Sequence, residues 1–216
     1  MSDPVKEYFA RKIEDLCKRL EDNNFNAYSA DNSGEALEIV KNIINELEPV
    51  SISWGGSLTF KNSGIYDVLK NMENKDIIDT FDSSLPKSEI MELRRKALFS
   101  DLFITGTNAI TENGTLVNLD MIGNRVGAIT FGPKHVIILA GRNKIVKDFD
   151  SAVKRIKHYV APVNVRRLNK KTPCLKTSLC MDCSSPDRIC NVWSIIERSF
   201  PEGRINLIFI NEDLGY

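Results

Sequence analysis

Apolar residues recur at steps of three and four positions in several stretches of the chain, the spacing that brings them onto one face of a helix. In the first stretch, the apolar stripe consists of Val5, Phe9, Ile13, Leu16 and Leu20. Similar stripes recur further along the chain. The pattern predicts helices over residues 5–20, 33–47, 65–72, 88–100 and 149–159.

Short apolar runs lie between these helical stretches, and they have the length of buried strands. The runs cover residues 25–30, 50–54, 77–81, 102–105, 109–111, 115–119, 136–140 and 205–210. Strands that alternate with helices form a mostly parallel sheet that is covered by helices on both faces. The sequence therefore predicts a three-layer α/β fold.

One break in the alternation indicates a hairpin. Asn113 and Gly114 lie between two runs, 109–111 and 115–119, that favour strands. The Asn-Gly dipeptide tolerates the positive φ angles of a type I′ turn, which joins antiparallel strands closely. We therefore expect a type I′ turn at this point, with Glu112 at the edge of the hairpin.

The composition is that of one large domain. The chain has 216 residues, of which 42% are hydrophobic, and this can supply a substantial core. We expect residues 1–48 to form a helical segment packed on an α/β domain of residues 49–216. No apolar run approaches the roughly 18 residues of a membrane span, and the first residues lack a secretory signal. We therefore expect a cytoplasmic protein with no membrane span.

The charges balance overall but are unevenly distributed. Lys and Arg number 29, as do Asp and Glu, yet residues 142–176 hold eleven basic residues and two acidic ones, a net charge of +9. Nucleic-acid binders interleave basic and aromatic residues, whereas this stretch has Tyr159 as its one aromatic residue apart from Phe149. It also matches no DNA- or RNA-binding motif. We do not expect nucleic-acid binding.

Two glycine-containing loops follow predicted strands. Gly55, Gly56 and Ser57 come after the run 50–54, and the Thr-Gly-Thr-Asn sequence of residues 105–108 comes at the end of another run. The carboxyl ends of parallel strands meet at one edge of a sheet, where backbone N–H groups of such loops can bind an anion. The first loop is neither a GxGxxG fingerprint nor a Walker loop. We expect a small anionic ligand or substrate here; the alternative is a tight turn that needs glycine for its backbone.

Glu112 is the one carboxylate between Asp101 and Asp120. A carboxylate near a ligand pocket can act as a base, a nucleophile or a hydrogen-bond acceptor. A carboxylate that precedes a turn can also simply face water. Both interpretations of Glu112 stay open at this point.

Four of the five cysteines, Cys174, Cys180, Cys183 and Cys190, fall within seventeen residues and have the spacing CxxxxxCxxCxxxxxxC. Four thiolates can hold a [4Fe-4S] cluster or a tetrahedral zinc ion. Structural zinc sites more often pair two CxxC motifs, and this segment, residues 173–191, has one. The spacing favours a [4Fe-4S] cluster, with zinc as the main alternative and free thiols or a redox disulfide as further ones.

Several of these sequences resemble one known family. The residues around Gly55–Gly56, the run 105–117, Asn124-Arg125 and residues 133–136 resemble the LUD domain of lactate utilisation proteins. The sequence Ser-Pro-Asp-Arg-Ile-Cys-Asn at 185–191 and the final residues 211–216 look like a clostridial-type branch of that family. The cysteine segment is the more specific part of this resemblance.

The resemblance implies a fold similar to the glucosamine-phosphate deaminase, ribose-phosphate isomerase and CoA-transferase group, and a link to L-lactate oxidation. It also implies that Glu112 lies where CoA transferases have their catalytic glutamate. With the two loops, it gives the candidate ligand-binding residues Gly55, Gly56, Ser57, Thr105, Gly106, Thr107, Asn108, Gly114, Asn124 and Arg125.

Two main functions are consistent with these residues. The first is an iron–sulfur electron-transfer component of a lactate-oxidising system, and it needs a redox partner protein because the chain has no flavin-binding fingerprint. The second is a CoA- or sugar-phosphate-binding enzyme that uses Glu112, with the cysteines holding a structural zinc. A zinc-stabilised binding module is a third class. Whether the isolated chain is an enzyme stays open.

Overall fold

A computed structural model describes residues 3–216, so the first two residues of the expected 1–48 segment lie outside it. The helices are α1 (Pro4–Glu21), α2 (Ser33–Leu47), α3 (Leu58–Asn62), α4 (Ile65–Leu69), α5 (Lys87–Lys96), α6 (Asn124–Thr130), α7 (Phe149–Arg155), α8 (Ala161–Arg167) and α9 (Pro173–Thr177). The strands are β1 (Asn26–Ala30), β2 (Ser51–Trp54), β3 (Asp76–Ile78), β4 (Leu102–Gly106), β5 (Ala109–Thr111), β6 (Leu116–Asp120), β7 (His135–Gly141), β8 (Ile145–Val146), β9 (Val192–Ile196) and β10 (Ile205–Ile210).

The main sheet has six strands in the order β1-β10-β7-β4-β2-β3, and every neighbouring pair is parallel. In the central pair, Gly106 of β4 lies opposite Leu139 of β7. β2 ends beside β4, with Trp54 opposite Ile104. The carboxyl ends of β2, β4 and β7 therefore lie at one edge of the sheet, as the sequence predicts.

The side chains of each strand alternate between two cores. On β7, Ile137 and Leu139 pack with α2, α3 and α4 on one face of the sheet, where Trp54 and Phe60 are fully buried. Ile138, from the same strand, packs on the other face. That face is covered by α1 and by Ile129 of α6, together with residues of a second sheet. The predicted three-layer α/β fold is confirmed.

The second sheet has four strands in the order β8-β5-β6-β9 and holds the predicted hairpin, β5-β6. The prediction of a type I′ turn in this hairpin is wrong. Gly114 has φ 91° but Asn113 does not have a positive φ, and the Gly114 N–H donates to the Thr111 carbonyl at 2.9 Å. The connection is a three-residue loop with glycine in the left-handed region, a common alternative to the two-residue turn.

The predicted helices are found, but their ends differ. The helix predicted over 88–100 ends at Lys96 and continues as a 3₁₀ turn, Ala97–Phe99. The helix predicted over 149–159 is α-helical up to Arg155, forms a π-helical turn at Ile156–Val160 and continues into α8. Predictions missed α6, α8, α9, β8 and β9. The three helices and β8 have seven residues or fewer and show no clear period, whereas β9 is an apolar run that was not recognised as a strand.

The expected boundary at residue 49 stays a prediction. Within the described part of residues 1–48, α1 packs on the sheet through Ile13, Leu16 and Leu20. β1 belongs to the main sheet, where it pairs with β10. Among the described residues, no helix combines the length and the apolar character needed to cross a membrane.

The alternation on β7 leads to a stability prediction. Ile138 is fully buried between the sheet and α1, so Ile138→Ala should lower the free energy of unfolding by about 2–5 kcal/mol. The matched control is Ile195→Ala, because Ile195 is 51% exposed on β9 and its truncation should change that free energy by about 0.5 kcal/mol or less. Urea unfolding measures both. Equal losses in the two variants would contradict the assignment of the core.

Candidate functional site

A cleft of about 860 Å³ lies at the carboxyl ends of the main-sheet strands. Gly56 and Ser57 line it after β2, and Gly106, Thr107 and Asn108 line it at the end of β4. The two glycine loops that the sequence predicted to converge therefore do so. Asn124 and Arg125, which were named from the family resemblance, line the same cleft.

Arg125, at the start of α6, connects the loops around the cleft. Its Nε donates to Asp120 Oδ1 at 2.8 Å, and its Nη2 donates to the same oxygen at 2.6 Å. Further bonds run from Nη1 to the Gly106 carbonyl at 3.3 Å and from Nη2 to Asn108 Oδ1 at 3.1 Å. The other Asp120 oxygen accepts the backbone N–H groups of Arg125 and Val126, which caps α6. All three guanidinium nitrogens thus donate hydrogen bonds to protein oxygens.

Two glycines are required by close approach of other groups. A Cβ at Gly55 would lie 2.7 Å from Arg125 Cγ and 2.8 Å from the Phe103 ring. A Cβ at Gly106 would lie 2.5 Å from Ser57 Oγ. Real Cβ atoms do not approach this closely, so these positions admit only glycine without a local shift. Gly56 differs, because nothing lies within 4 Å of its would-be Cβ.

The remaining loop residues have mainly structural bonds. The Ser57 hydroxyl accepts the Phe60 N–H at 3.1 Å and caps α3. The Thr107 hydroxyl donates to the Ala109 carbonyl, and Asn108 Oδ1 accepts the Leu119 N–H at 2.9 Å. Thr105 lies behind the cleft wall, and its buried hydroxyl has no hydrogen-bond partner within residues 3–216. The open surface at Gly56 is therefore the part of the first loop that is free to meet a ligand.

Glu112 and Gly114 lie elsewhere. Glu112 Oε1 accepts a hydrogen bond from Lys12 Nζ of α1 at 2.6 Å, and this bond is the main reason that the pKa of Lys12 is raised. Gly114 faces Leu20 of α1. Neither residue lines the cleft, so the structure does not bring Glu112 to the glycine loops.

Sequence reasoning missed Lys144, which follows β7 and lines the cleft. Its side chain is buried, with 2% of the residue exposed. The pKa of this lysine is lowered to about 7, mainly by burial and to a smaller extent by the positive charges of Arg155 and Arg125. The rule that located the glycine loops could have found it, because Lys144 also follows the carboxyl end of a main-sheet strand.

The cleft is strongly basic although the whole chain is neutral. Only two acidic side chains, Asp82 and Asp120, are among its described lining residues, and Arg125 neutralises Asp120. The basic residues that line it are Lys61, Lys87, Arg94, Arg125, Lys144, Arg167 and Lys170. A cleft with this excess of positive charge attracts anions and disfavours cations.

The cysteine segment, residues 173–191, forms part of one cleft wall. Cys174 on α9 is buried in an apolar cluster with Val165 and Ile189, and Cys190 packs against that cluster. Ile189 also lines the cleft. The thiols of Cys174 and Cys190 are thus separated from the cleft by its apolar wall.

Three cysteines of this segment, Cys174, Cys180 and Cys190, lie near enough to influence one another electrostatically. Burial raises the pKa of the Cys190 thiol; Arg188 and Lys157 oppose this rise, and the nearby Cys180 and Cys174 add to it. All of these thiols are free of disulfides. Within residues 3–216, no three side chains of the His, Cys, Asp and Glu types are arranged closely enough to hold a metal ion. The donor set still fits a metal centre chemically, because it offers four thiols with basic groups nearby to offset thiolate charge.

Comparisons with known proteins give a family and a fold. A model of the LUD domain matches residues 13–210. A search of curated proteins finds no match to this chain. Among solved structures, a DUF162 family protein from Deinococcus radiodurans is similar with a TM-score of 0.54 and 12% identity, over 94% of this chain and 97% of that one. Ribose 5-phosphate isomerase from Plasmodium falciparum has a TM-score of 0.29 and 19% identity, over 51% of this chain and 52% of that one.

The two adjacent glycines give a prediction with an internal control. Gly55→Ala should lower the free energy of unfolding by about 1–3 kcal/mol, because the added methyl group overlaps Arg125 and Phe103. Gly56→Ala should leave it unchanged or slightly raised, because that methyl group has free space. Urea unfolding of both variants measures the difference. A larger loss in Gly56→Ala than in Gly55→Ala would contradict the packing described for Arg125.

Proposed function

Because this chain belongs to the LUD domain family, which is linked to lactate utilisation, we propose that it is an iron–sulfur electron-transfer component of L-lactate or related 2-hydroxy-acid utilisation. In this proposal the basic cleft binds the small carboxylate anion. Cys174, Cys180, Cys183 and Cys190 hold a [4Fe-4S] cluster, and a redox partner protein exchanges electrons with it. The sequences at 185–191 and 211–216 support its assignment to the clostridial-type branch.

The proposal rests on the position of the cysteine segment, which borders the cleft. Ile189 contacts the cavity on one side and belongs to the cluster of Cys174 on the other. Cys190 follows Ile189 directly in the chain and packs against the same cluster. A ligand in the cleft and a metal centre on these thiols would thus lie close together, with an apolar layer between them.

The basic residues of the cleft support an anionic ligand. Arg125 is fixed by its bonds to Asp120 and Asn108, while Lys144 has no acidic partner within residues 3–216. Arg167 and Lys170, which are next to the cysteine segment in the chain, line the cleft as well. Arg167 favours a negatively charged ligand on the side of the cleft where the thiols lie, while Asp187, 3.4 Å from Lys170, offsets part of the charge of that lysine.

When bound, a [4Fe-4S] cluster supplies one-electron transfer, and its reduction potential depends on nearby charges and hydrogen bonds. The chain's own residues set those surroundings. Arg188 donates to the backbone carbonyls of Cys183 and Cys190 at 2.6 and 2.9 Å, and Lys157 pairs with Asp182 beside Cys183. These contacts fix the loop that carries three of the four thiols. Oxidation of a 2-hydroxy acid releases two electrons, so the partner protein must carry out that step or share the electrons.

Metal analysis tests this proposal directly. The full chain, purified without oxygen, should contain about four irons and four acid-labile sulfides and absorb at roughly 400 nm, with bleaching on reduction. Cys183→Ser should lower the iron content. Cys17→Ser is the matched control, since Cys17 lies on α1 with its thiol pKa raised by burial to about 12, and it should leave the iron content unchanged.

Colourless protein with one zinc per chain would contradict the proposal. It would favour the second candidate, a CoA- or sugar-phosphate-binding enzyme in which the cysteines hold a structural zinc. The basic cleft is consistent with that candidate too, because phosphates are anions. Its proposed catalytic residue, Glu112, lies against Lys12 and outside the cleft, which is why we favour electron transfer.

A further inference from the structure

Lys144 occupies an unusual position for a lysine. It ends the 3₁₀ turn Arg142–Lys144, directly after the central strand β7. The turn is anchored on both sides, since Arg142 pairs with Asp213 and Asn143 Oδ1 accepts the Leu214 N–H at 3.2 Å. The lysine side chain is buried, yet it lines the cleft. The fold therefore fixes an amine at the base of the cavity.

The charges around Lys144 do not balance. Arg125 on α6 and Arg155 on α7 act on it from two sides. Arg125 is paired with Asp120 at the end of β6, but the Arg155 guanidinium donates to the carbonyls of Asn143 and Asn108 and to no carboxylate in the described chain. Lys144 itself has no acidic partner within residues 3–216. Of these three cations, only Arg125 is paired with a carboxylate in the described chain.

An uncompensated charge in a buried position is costly, and a counterion relieves the cost. The two cations nearest to Lys144, Arg125 and Arg155, have their guanidinium donors occupied by protein oxygens. Of these three groups, Lys144 is the one with donors left for a ligand. The cavity provides the space, and Gly56, which also lines it, adds no side chain that would fill it.

We propose that Lys144 is the anion-binding group of the cleft, that it donates to an oxygen of a small carboxylate, and that it takes up one proton when the carboxylate binds. This inference rests on the proposed function for the class of the ligand. It deepens that proposal by assigning the binding group and a measurable proton exchange. The proton comes from solvent, and no covalent bond is made or broken.

Proton uptake follows from linkage. The lowered pKa of Lys144, about 7, leaves the amine largely neutral in the free protein above that pH. A bound carboxylate favours the ammonium form, so binding and protonation become coupled. Apparent affinity should therefore fall as pH rises above about 7. Asp120 does not share this role, because both of its oxygens are bound to Arg125 and the start of α6.

Calorimetric titration of the full chain with L-lactate tests the inference. Titrations in two buffers with different ionisation enthalpies report the number of protons taken up. We expect close to one proton at about pH 8 and close to none at about pH 6, with binding about tenfold weaker at the higher pH. Inorganic phosphate, titrated in parallel, distinguishes a carboxylate from a phosphate as the oxyanion that the site prefers.

Three variants distinguish a loss of ligand binding from a loss of folding. Lys144→Met should lose L-lactate binding and proton uptake, while its folding is retained because an apolar side chain suits the buried position. Lys144→Arg should bind with no proton uptake, because a guanidinium keeps its proton throughout this range. Lys147→Met, at an exposed lysine three residues further on, is the matched control and should behave like the natural protein.

The results distinguish a failure of this inference from a failure of the electron-transfer proposal. Proton uptake that persists in Lys144→Met, affinity that does not depend on pH, or failure of both anions to bind would overturn the inference. Tighter binding of phosphate, with the same dependence on Lys144, would overturn the carboxylate assignment. A protein that contains iron and sulfide but binds independently of Lys144 would overturn this inference alone. Lys144-dependent binding by a protein without iron would overturn only the electron-transfer proposal.

Discussion

The buried ion pair between Arg125 and Asp120 organises the carboxyl edge of the sheet. It joins α6 to the end of β6, and through Asn108 and the Gly106 carbonyl it joins both to the loop after β4. The arginine side chain also occupies the space that a Cβ at Gly55 would need. Removal of one partner of such a buried pair typically costs about 3–5 kcal/mol, because the other charge is left uncompensated. The shape of the cleft therefore depends on this pair.

The same pair decides which charge is available to a ligand. Since Arg125 is neutralised by Asp120, it contributes mainly structure to the cleft. Lys144 keeps its positive charge, or its capacity to gain one, at the base of the cavity. The cysteine segment closes the neighbouring wall through Ile189. The proposed anion site and the cysteine segment thus lie side by side, and this arrangement is the structural basis for the redox function that we propose.

Much of the fold could be predicted because its strands are short apolar runs and its longer helices have clear stripes. The convergence of the loops at Gly56 and Gly106 followed from the parallel sheet alone. Short helices without a clear period, such as α6 and α9, were missed. The hairpin was found, but its turn type was not, because the Asn-Gly dipeptide is compatible with more than one loop length and the conformation of Asn113, which lacks a positive φ, excludes the type I′ turn.

Individual site residues were harder to predict, because their roles depend on contacts between distant segments. The family resemblance implied a catalytic position for Glu112, but α1 places Lys12 against it. Lys144 looked like one of many lysines in a basic stretch. Its burial comes from the packing of α7 and of the C-terminal residues against the turn after β7, and neither contact has a local signal in the sequence.

The reduction potential of the metal centre, measured with and without L-lactate, tests the adjacency of cleft and cysteines most directly. At about pH 6 the lysine is already protonated, so binding adds a net negative charge beside the thiols. We expect a lower potential in the presence of L-lactate, because a nearby anion opposes the uptake of an electron. Lys144→Met should show no such change. A centre whose potential is the same with and without bound L-lactate would contradict the adjacency of the ligand and the metal centre.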